Sequence, residues 1–540
     1  MRFRIQIRPW LIAGALGAPL HGWSAEDFEG RTYVFGDIHQ HTGASGDGGS
    51  SDLGVCTGEC GALAEIGLRA RAFGLDFLAT TDHVNDDVSA SVADFNKVLR
   101  RLKLEHDPEG GFVTIPGAEL YMVERGTVHQ FGHKTLLLFG EEEEGRVLNI
   151  NQLRPYMDGG SAMTDCASIW SWMDSLQADV GPALLLAHHP APTYPMSTDW
   201  DCHSETYAPV AEVYSEHGNS MGLGDGYDDP RSDIVEEGTI MSALGTYGLQ
   251  LGFVAGSDNH DTKPGNTCRL DTQRDNQLYG GGLTIAVLRE GEVMSRSTLF
   301  DAFVDRRVYA STGPMIPATV EVLSGDLSLG QMGELVAVPE QVDVTVEVRI
   351  PESMVPYVNE VWVHTAEERT LASTSQDGVW HQTWSSSAMP SWAFVEFVVD
   401  GQLWWAGFEC DDGGEEWDER VWMSPNWFEV VSDYDDDGWT VAAGDCDDTN
   451  SAIGPDAQED CELEGDENCN GLADGEDEDC AGDSGGGVLV DDTGLGGEPA
   501  VVLDEAKGPR ARCSGHTGAA FIGCLTILGQ GILRRRKIRK

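Results

Sequence analysis

The chain has 540 residues, which is too long for one ordinary domain and predicts two or three folded units with flanking tails. It carries 91 acidic side chains against 34 basic ones, so its formal net charge is −57. That balance argues against nucleic-acid binding, because contact with phosphates needs Lys and Arg. It suits a solvated acidic surface or a chain that collects cations.

The N-terminus predicts an export signal. Three arginines in the first eight residues precede an apolar stretch from Trp10 to Leu20, and small residues follow up to Ala25. Residues 1–25 are therefore assigned to a signal peptide, with a buried helix as the alternative. Export places the twelve cysteines in an oxidising compartment, where disulfides are expected. The local candidates for pairing are Cys56 with Cys60, and the group Cys446, Cys461, Cys469 and Cys480.

From residue 31 to residue 317, short apolar runs alternate with helix-like segments, of which Ala62–Phe73 is the clearest. The predicted strands are Tyr33–Phe35, Phe77–Thr81, Phe112–Ile115, Thr135–Phe139, Ala183–Ala187, Val210–Tyr214, Gly252–Ala255 and Leu283–Val287. Strands and helices that alternate over such a length are typical of an α/β barrel more than of an open sheet.

Polar side chains of the metal-ligand type lie at or near the ends of almost all these strands. His39 and His41 follow the first strand, and residues i and i+2 of an extended segment point to the same side. The later positions are Asp82, His83, Glu119, His129, His133, His188, His189, Glu212, His217, Asp258 and His260. Strand ends at the C-terminal rim of a barrel converge on one pocket, so this repetition predicts a metal centre.

The ligand types narrow the choice of metal. Mixtures of imidazole and carboxylate suit Zn, Mn or Fe, whereas Ca and Mg prefer shells made of oxygen alone. Glu119 is a candidate bridge, because one carboxylate can bind both cations of a two-metal site, which lie about 4 Å apart. The sequence therefore predicts two or three transition-metal ions.

The ordered motifs resemble those of the PHP (polymerase and histidinol phosphatase) superfamily, over about Tyr33 to Gly313. The residues that carry the resemblance are Gly36-Asp37-Ile38-His39-Gln40-His41-Thr42, Thr81-Asp82-His83, Gly117-Ala118-Glu119, His189-Pro190 and Gly256-Ser257-Asp258-Asn259-His260. The resemblance implies a distorted (β/α)7 barrel that holds two or three metal ions and usually hydrolyses phosphoesters.

The resemblance also implies how the ligands are shared among the metals. It assigns His39, His41, Glu119 and Asp258 to the first metal, Glu119, His133 and His189 to the second, and Asp47, His83 and His260 to the third. His189 is preferred over His188 because the family pattern is His-Pro, and His133 over His129 because it lies next to the strand. Asp47 departs from the spacing of many members, since Gly46 is inserted before it.

The residues assigned to catalysis are Glu119, His189 and Arg307. Metals in this site would lower the pKa of a bound water and bind the charge that develops on phosphate oxygens. No side-chain nucleophile is needed, and the chain has neither a Gly-x-Ser-x-Gly elbow nor a P-loop. Arg307 lies in a segment similar to a little-characterised branch of stand-alone PHP proteins. Two roles stay open for it, a clamp on a substrate anion and a structural salt bridge.

Residues 318–431 alternate apolar and polar side chains, which predicts a β-sandwich. Residues 433–482 then predict a calcium-binding segment. Asp433, Asp435 and Asp437 occupy positions 1, 3 and 5 of a calcium loop, with a glycine at position 6. Position 12 is a glycine, and either Asp445 or Asp447 substitutes for the usual glutamate. This segment resembles the thrombospondin-type-3-like repeats of bacterial surface proteins, and a disordered acidic spacer is the alternative.

Residues 483–512 are predicted to be a flexible linker, and residues 513–540 a sorting or membrane tail. The tail has a moderately apolar stretch, Thr517–Leu533, followed by a basic run that is typical of the cytoplasmic side of a span. Cys513-Ser514-Gly515 is similar to the C-terminal sorting tails of exported proteins of the myxobacterial type. Membrane association through this tail is therefore expected.

The leading functional prediction is an exported, metal-dependent phosphoesterase that acts on a small-molecule or polymer phosphoester. Two alternatives stay open. One is a calcium-dependent cell-surface binding protein with a non-catalytic barrel. The other is a metal-dependent amidohydrolase that cleaves C–N or C–O bonds with the same ligand types.

Overall fold

A computed structural model describes most of the chain between residues 26 and 480. The described ranges are 26–53, 60–84, 90–123, 130–140, 166–192, 197–224, 234–266, 281–374, 378–400, 418–461, 465–472 and residue 480. The predicted signal peptide, linker and C-terminal tail lie outside these ranges, as do Cys56 and His129.

The first region, up to Ser311, contains strands alternating with helices. Its strands are β1 (Glu26–Phe28), β2 (Arg31–Asp37), β3 (Phe77–Thr80), β4 (Val113–Val123), β5 (Gln130–Leu138), β6 (Ala183–Ala187), β7 (Val210–Ser215), β8 (Gly218–Asn219), β9 (Gly252–Ala255), β10 (Leu283–Leu288) and β11 (Val308–Ser311). Its helices are α1 (Ile66–Ala72), α2 (Val92–Glu105), α3 (Cys166–Val180), α4 (Ile240–Gly245) and α5 (Arg296–Val304).

The apolar runs found in the sequence are the strands of this region. β6 and β9 coincide with their predicted limits, and both are buried along their whole length. Strands that are covered on both faces read as continuous apolar runs, which is why these could be located from sequence. The helices have ordinary start signals as well. Ser91 caps α2, and Ser295 forms a capping box with Thr298 at the start of α5.

The strands form one large sheet of mixed direction. β2, β3 and β4 are parallel, and so are β6, β7 and β9. β5 runs antiparallel to both β4 and β6, and β10 runs antiparallel to both β2 and β11. The predicted α/β class is confirmed, whereas these pairings do not by themselves close the sheet into the predicted (β/α)7 barrel. β2, β3, β4, β6, β7 and β9 run in the same direction. Predicted ligands follow β2, β3, β6 and β9, whereas Glu119 lies within β4 and His133 within β5.

The region from Thr319 to Val431 is built of strands, as the alternating pattern predicts. They are β12 (Thr319–Ser324), β13 (Leu327–Gln331), β14 (Leu335–Pro339), β15 (Asp343–Arg349), β16 (Val358–Thr365), β17 (Arg369–Leu371), β18 (Ser373–Thr374), β19 (Val379–Ser385), β20 (Trp392–Asp400), β21 (Asp418–Met423) and β22 (Asn426–Val431). β13, β12, β15, β19 and β18 form a separate antiparallel sheet in that order.

The remaining strands of this region extend the large sheet. β21 pairs with β11 from Tyr309 opposite Met423 to Ser311 opposite Val421, and β20 and β16 follow on its other side. The predicted β-sandwich is therefore met only loosely, because one of its two sheets continues the sheet of the first region. One pairing is also parallel, that of β14 with β22.

Disulfides form in the described part of the chain, as the prediction of an oxidising compartment requires. Cys446 pairs with Cys469 and Cys461 with Cys480, so the four cysteines of the predicted group form two disulfides with one another. A further disulfide joins Cys166 at the start of α3 to Cys202. Within the described residues, no helix combines the length and apolar character that a membrane crossing needs.

Candidate metal centre

The first two histidines are held by the turn that follows β2. Asp37 is fully buried at the end of this strand, and one of its oxygens accepts from the backbone N–H of His39 (3.1 Å) and of Ser257 (2.9 Å). Its other oxygen accepts from the N–H of Gly265 (3.0 Å). One buried carboxylate thus ties the His39 turn to the segment after β9, which carries the last predicted ligands.

Asp82 performs the same task for the segment after β3. Its side chain is buried and accepts from the backbone N–H of Thr42 (2.8 Å) and from the Thr42 hydroxyl (2.9 Å). The Ser45 hydroxyl also donates to it (3.1 Å). Asp82, which directly precedes His83, therefore fixes the segment that directly follows His41, and its oxygens are used for these hydrogen bonds.

The four residues predicted for the first metal lie together. Glu119 Oε2 is 3.3 Å from His39 Nε2 and 3.0 Å from His41 Nε2. Asp258 Oδ1 is 3.5 Å from His39 Nε2 and 3.1 Å from His41 Nε2. All four side chains are buried, with exposures of 0 to 2%. The structure therefore brings two imidazoles and two carboxylates around one point.

Glu119 lies at the centre of the cluster, with its two oxygens facing different partners. Oε2 faces His39, His41 and His83, the last at 3.5 Å. Oε1 faces His133 Nδ1 at 2.7 Å. A carboxylate whose oxygens face separate groups of ligands has the geometry of a bridge between two cations.

The second group contains the three predicted residues and one more. Ligand atoms of Glu119, His133, His188 and His189 all lie within 4.8 Å of one another. The His133 ring is 4.8 Å from the His189 ring, and the rings of His188 and His189 are 3.8 Å apart, measured between centroids. The His-Pro motif favours His189 over His188 as a ligand, yet the structure places both histidines in this group.

The third group lies at the more exposed side of the cluster. Asp47 Oδ2 is 3.0 Å from His83 Nε2 and 4.0 Å from His260 Nδ1, and 23% of the Asp47 side chain is exposed. The His260 ring stacks on that of His41, with centroids 4.1 Å apart. Asp47, His260 and His41 are close enough to hold an ion, so the inserted glycine before Asp47 does not remove it from the cluster.

The charges in the cluster are mutually dependent. Burial alone would raise the pKa of Glu119, but His83 and His188 outweigh it and hold that pKa well below its usual value. Burial likewise would raise the pKa of Asp258, and His39 and His188 lower it well below the usual value. Both carboxylates are therefore anionic at neutral pH, which is the form that binds a cation.

The spacing of the donor atoms fits a metal. Ligands at 2.0–2.2 Å around a tetrahedral ion lie roughly 3.3–3.6 Å from each other. The contacts among His39, His41, Glu119 and Asp258 range from 3.0 to 3.5 Å. Neither oxygen of Asp258 has a hydrogen bond of normal geometry, although it is 1% exposed. Buried polar atoms without partners are costly, and a cation would satisfy them.

The backbone at the centre is unusual at two of these ligands. His189 and Asp258 have φ values of 31° and 51°, in the left-handed region that non-glycine residues rarely occupy. Such conformations cost about 1–3 kcal/mol each and are typical of functional sites. Gly256 is required for a different reason, since a Cβ there would lie 2.4 Å from the Cβ of His39.

Three residues of the cluster were not assigned as ligands from the sequence. Besides His188, they are Glu212, whose oxygens lie 2.6 Å from His188 Nδ1 and 3.2 Å from His39 Nδ1, and His217, whose Nε2 lies 3.0 Å from Asp258 Oδ2. His188 follows β6, His217 follows β7 and Glu212 lies within β7, so the pattern of polar residues at or near strands indicates all three. The PHP-like motifs assign none of them as a ligand.

Arg307 is not part of the cluster. Its guanidinium lies 3.4 Å from Asp305 and 3.5 Å from Glu292, and also donates to the backbone oxygen of Val287. Val287 pairs with Tyr33 at the beginning of β2, about 20 Å of strand away from His39. These are the contacts of a structural ion pair at the opposite end of the sheet, so the role of substrate clamp at the metal cluster has no geometric support.

The acidic segment forms a second cluster. Asp445 and Asp448 are buried, and Asp433, Asp435, Asp445 and Asp448 each have one buried oxygen without a hydrogen-bond partner. Burial, together with the neighbouring carboxylates, raises the pKa of Asp435 and of Asp448. Asp437 belongs to the same loop, and its Oδ1 accepts from the N–H of Trp439 (2.7 Å). Asp448, which the loop pattern did not indicate, joins Asp445 where the position-12 glutamate is missing.

Comparison with known proteins adds little to this geometry. No protein-family model matches the chain, and no curated protein matches it. Among solved structures, a Cellulomonas fimi endo-beta-1,4-mannanase double mutant is 11% identical, covering 73% of this chain and 94% of its own. Its TM-score is 0.16, so this similarity carries no argument about fold or function.

Proposed function

We propose that this protein is a metal-dependent hydrolase, a phosphoesterase of the PHP type, with two or three transition-metal ions at the cluster around Glu119. The observation that carries the proposal is the position of Glu119. Its two oxygens face separate groups of histidines, 3.0 Å from His41 on one side and 2.7 Å from His133 on the other. Zn, Mn and Fe suit this mixture of imidazole and carboxylate.

The chemistry follows from what the residues can hold. Metal ions bound here would bring a water molecule towards a neutral pKa and stabilise negative charge on a phosphoryl oxygen. Glu119 and Asp258 supply the anionic ligands, and His39, His41, His133 and His189 supply imidazoles, which bind a metal in their neutral form. Asp47 and His260 lie at the exposed side of the cluster, where a substrate would approach. Hydrolysis by this route needs no nucleophilic side chain.

We further propose that the large sheet closes into the distorted barrel of that superfamily. Contacts between β9 and β10 support closure. The N–H of Gly282 donates to the carbonyl oxygen of Gly256 (2.9 Å), and the N–H of Ala255 donates to the Thr284 hydroxyl (3.1 Å). Strand ends arranged in a ring would explain why ligands from six strands meet at one point. An experimental structure that left β9 and β10 apart would contradict closure.

The catalytic proposal is tested by turnover. The purified protein should be stripped of metal, reloaded with Zn, Mn or Fe, and assayed against phosphomonoesters and phosphodiesters. We expect hydrolysis of at least one ester class that disappears on stripping and returns on reloading. A fully loaded protein that turns over no ester would contradict the phosphoesterase assignment. Turnover of amide or lactone substrates by the same protein would favour the amidohydrolase alternative.

A second candidate function, calcium binding by residues 433–472, is supported by a separate observation. Four aspartates place buried, unpartnered oxygens in one small segment, and the chain has no Lys or Arg between Asp433 and Cys480. Oxygen-only shells suit calcium. We expect saturable calcium binding. The substitutions D445N and D448N should weaken this binding and leave ester hydrolysis unchanged. Unaltered calcium affinity in both variants would contradict this assignment. Export, with which the disulfides are compatible, would supply millimolar calcium.

A further inference from the structure

Glu212 lies between two histidine rings of the metal cluster. It is the third residue of β7 and is 2% exposed. Its Oε1 is 2.6 Å from His188 Nδ1, and its Oε2 is 3.2 Å from His39 Nδ1. A carboxylate offers only acceptors, so each of these rings carries its hydrogen on Nδ1 when it bonds to Glu212.

The consequence appears at the other nitrogen of each ring. In a neutral ring with its hydrogen on Nδ1, Nε2 has a free lone pair, which is the form of imidazole that binds a metal. His39 Nε2 faces Glu119 Oε2 at 3.3 Å and Asp258 Oδ1 at 3.5 Å. His188 Nε2 has no hydrogen-bond partner and faces the other oxygen of each carboxylate, Asp258 Oδ2 at 3.5 Å and Glu119 Oε1 at 3.9 Å.

The two rings therefore serve two neighbouring positions, each formed by one oxygen of Glu119 and one of Asp258. We infer that Glu212 is a positioning residue that fixes His39 and His188 in the metal-binding tautomer together, and that His188 is a ligand of the second position. This inference rests on the proposed metal centre. It adds that one carboxylate orients ligands of two metal positions.

The chain offers a matched control for this role. The Thr135 hydroxyl lies 3.1 Å from His39 Nδ1, so it can help to orient the His39 ring. Removing that hydroxyl by T135V leaves Glu212 in contact with both rings. Loss of the carboxylate that accepts from a ligating ring lowers metal affinity about 10–100-fold, and T135V keeps that carboxylate. Only Glu212 variants should have that effect at two positions.

Two substitutions at Glu212 separate its contacts. E212A removes the acceptor from both rings, so ions at both positions should bind about 10–100-fold more weakly. E212Q keeps the volume but offers one acceptor and one donor, so one ring must take the other tautomer and lose its metal lone pair. E212Q should therefore weaken one position strongly. H188Q should weaken the second position and spare the first.

The experiment is titration of the metal-free full chain with Co²⁺, followed by elemental analysis and by the visible absorption of the ion, which reports loss of an imidazole ligand. We expect two weakened positions in E212A, one in E212Q and H188Q, and near wild-type titration in T135V. Wild-type titration and spectra in E212A and E212Q would overturn the role of Glu212. If E212A does not fold, E212Q and H188Q decide. Failure of the wild-type chain to bind Co²⁺ would instead refute the metal centre itself.

Discussion

Two buried clusters of histidine and carboxylate in this molecule differ in how their polar atoms are satisfied. Glu396, fully buried in β20, accepts from Arg420 Nη1 (2.9 Å) on one oxygen and contacts His364 Nε2 (2.7 Å) on the other. Asp258, equally buried, has five histidine nitrogens within 3.5 Å and no hydrogen bond of normal geometry.

This difference in hydrogen bonding distinguishes the structural cluster around Glu396 from the candidate metal cluster around Asp258. A buried carboxylate is tolerated when hydrogen bonds and an opposite charge compensate its lost hydration. Around Glu396 the protein supplies that compensation itself, since Arg420, His364 and Arg369 surround it. Around Asp258 it supplies donor atoms spaced for a cation. Both carboxylates are buried beside histidine, so the arginines and hydrogen bonds around Glu396, and their absence from the described residues around Asp258, are what distinguish the candidate metal centre.

The same substitution in each cluster should give the largest contrast. E119Q removes the charge and one ligand oxygen of the central carboxylate, so we expect loss of bound metal and a fall in hydrolysis of more than about 10²-fold. E396Q is the matched control and should retain full metal content and turnover. The check is elemental analysis with ester assays on both variants. Active, metal-loaded E119Q would break the comparison.

Removal of metal should affect stability through one cluster alone. A ligand that binds only the folded state stabilises it by about 4 kcal/mol at a thousandfold excess over its Kd. Stripping with a chelator should therefore lower the free energy of unfolding by roughly that amount for each tightly bound ion. Urea unfolding of stripped and reloaded protein measures it. With calcium restored after stripping, the effect on stability should be much smaller in E119Q, and an equal effect there would show that the metal binds elsewhere.

Some features of this cluster depend on the local sequence pattern and could be predicted, whereas others depend on which strands meet in space and could not. Apolar runs such as Ala183–Ala187 predicted the strands, and polar residues at or near these runs predicted nearly all the candidate ligands. Both depend on the local sequence pattern. The tautomer-setting contact of Glu212 and the inclusion of His188 depend on two strands meeting in space. The choice between the two roles left open for Arg307 depends on the same kind of information, since its end of the sheet is set by the direction of β10 and β11.

Strand direction also explains what was missed in the fold. β5 and β10 have the same buried apolar character as the strands that run parallel to each other in this sheet. Nothing in the composition of β5 or β10 indicates that they are antiparallel to their neighbours. The continuation of the sheet from β11 into β21 joins residues more than a hundred positions apart in sequence. Asp448 was missed on a smaller scale, since it lies outside the twelve-residue loop pattern.

Breaking the structural cluster should cost stability and nothing else. E396A leaves His364 and Arg420 without their buried partner, and removal of one member of such a pair typically costs about 3–5 kcal/mol. Metal content should not change. Denaturant unfolding of the reloaded protein gives the first quantity and elemental analysis the second. A fall in bound metal in E396A would show that the two clusters are coupled.

The acid dependence of stability should also come partly from Glu396. Burial raises its pKa, but His364, Arg420 and Arg369 outweigh burial and lower the pKa below the usual 4.5. Its folded-state pKa is thus below its unfolded value, so its contribution is present above about pH 4.5 and is lost as pH falls through the folded pKa. In metal-free protein, E396Q should show a shallower loss of stability below pH 4.5. An unchanged slope would contradict this.

The number of tightly bound transition-metal ions per chain tests the central claim most directly. Protein purified with Zn, Mn and Fe available and then dialysed should retain two or three ions per chain. E119Q, measured beside it, should retain at most one. A wild-type chain that retains none, after loading with each of the three metals, would contradict the assignment of the cluster around Glu119 as a metal centre.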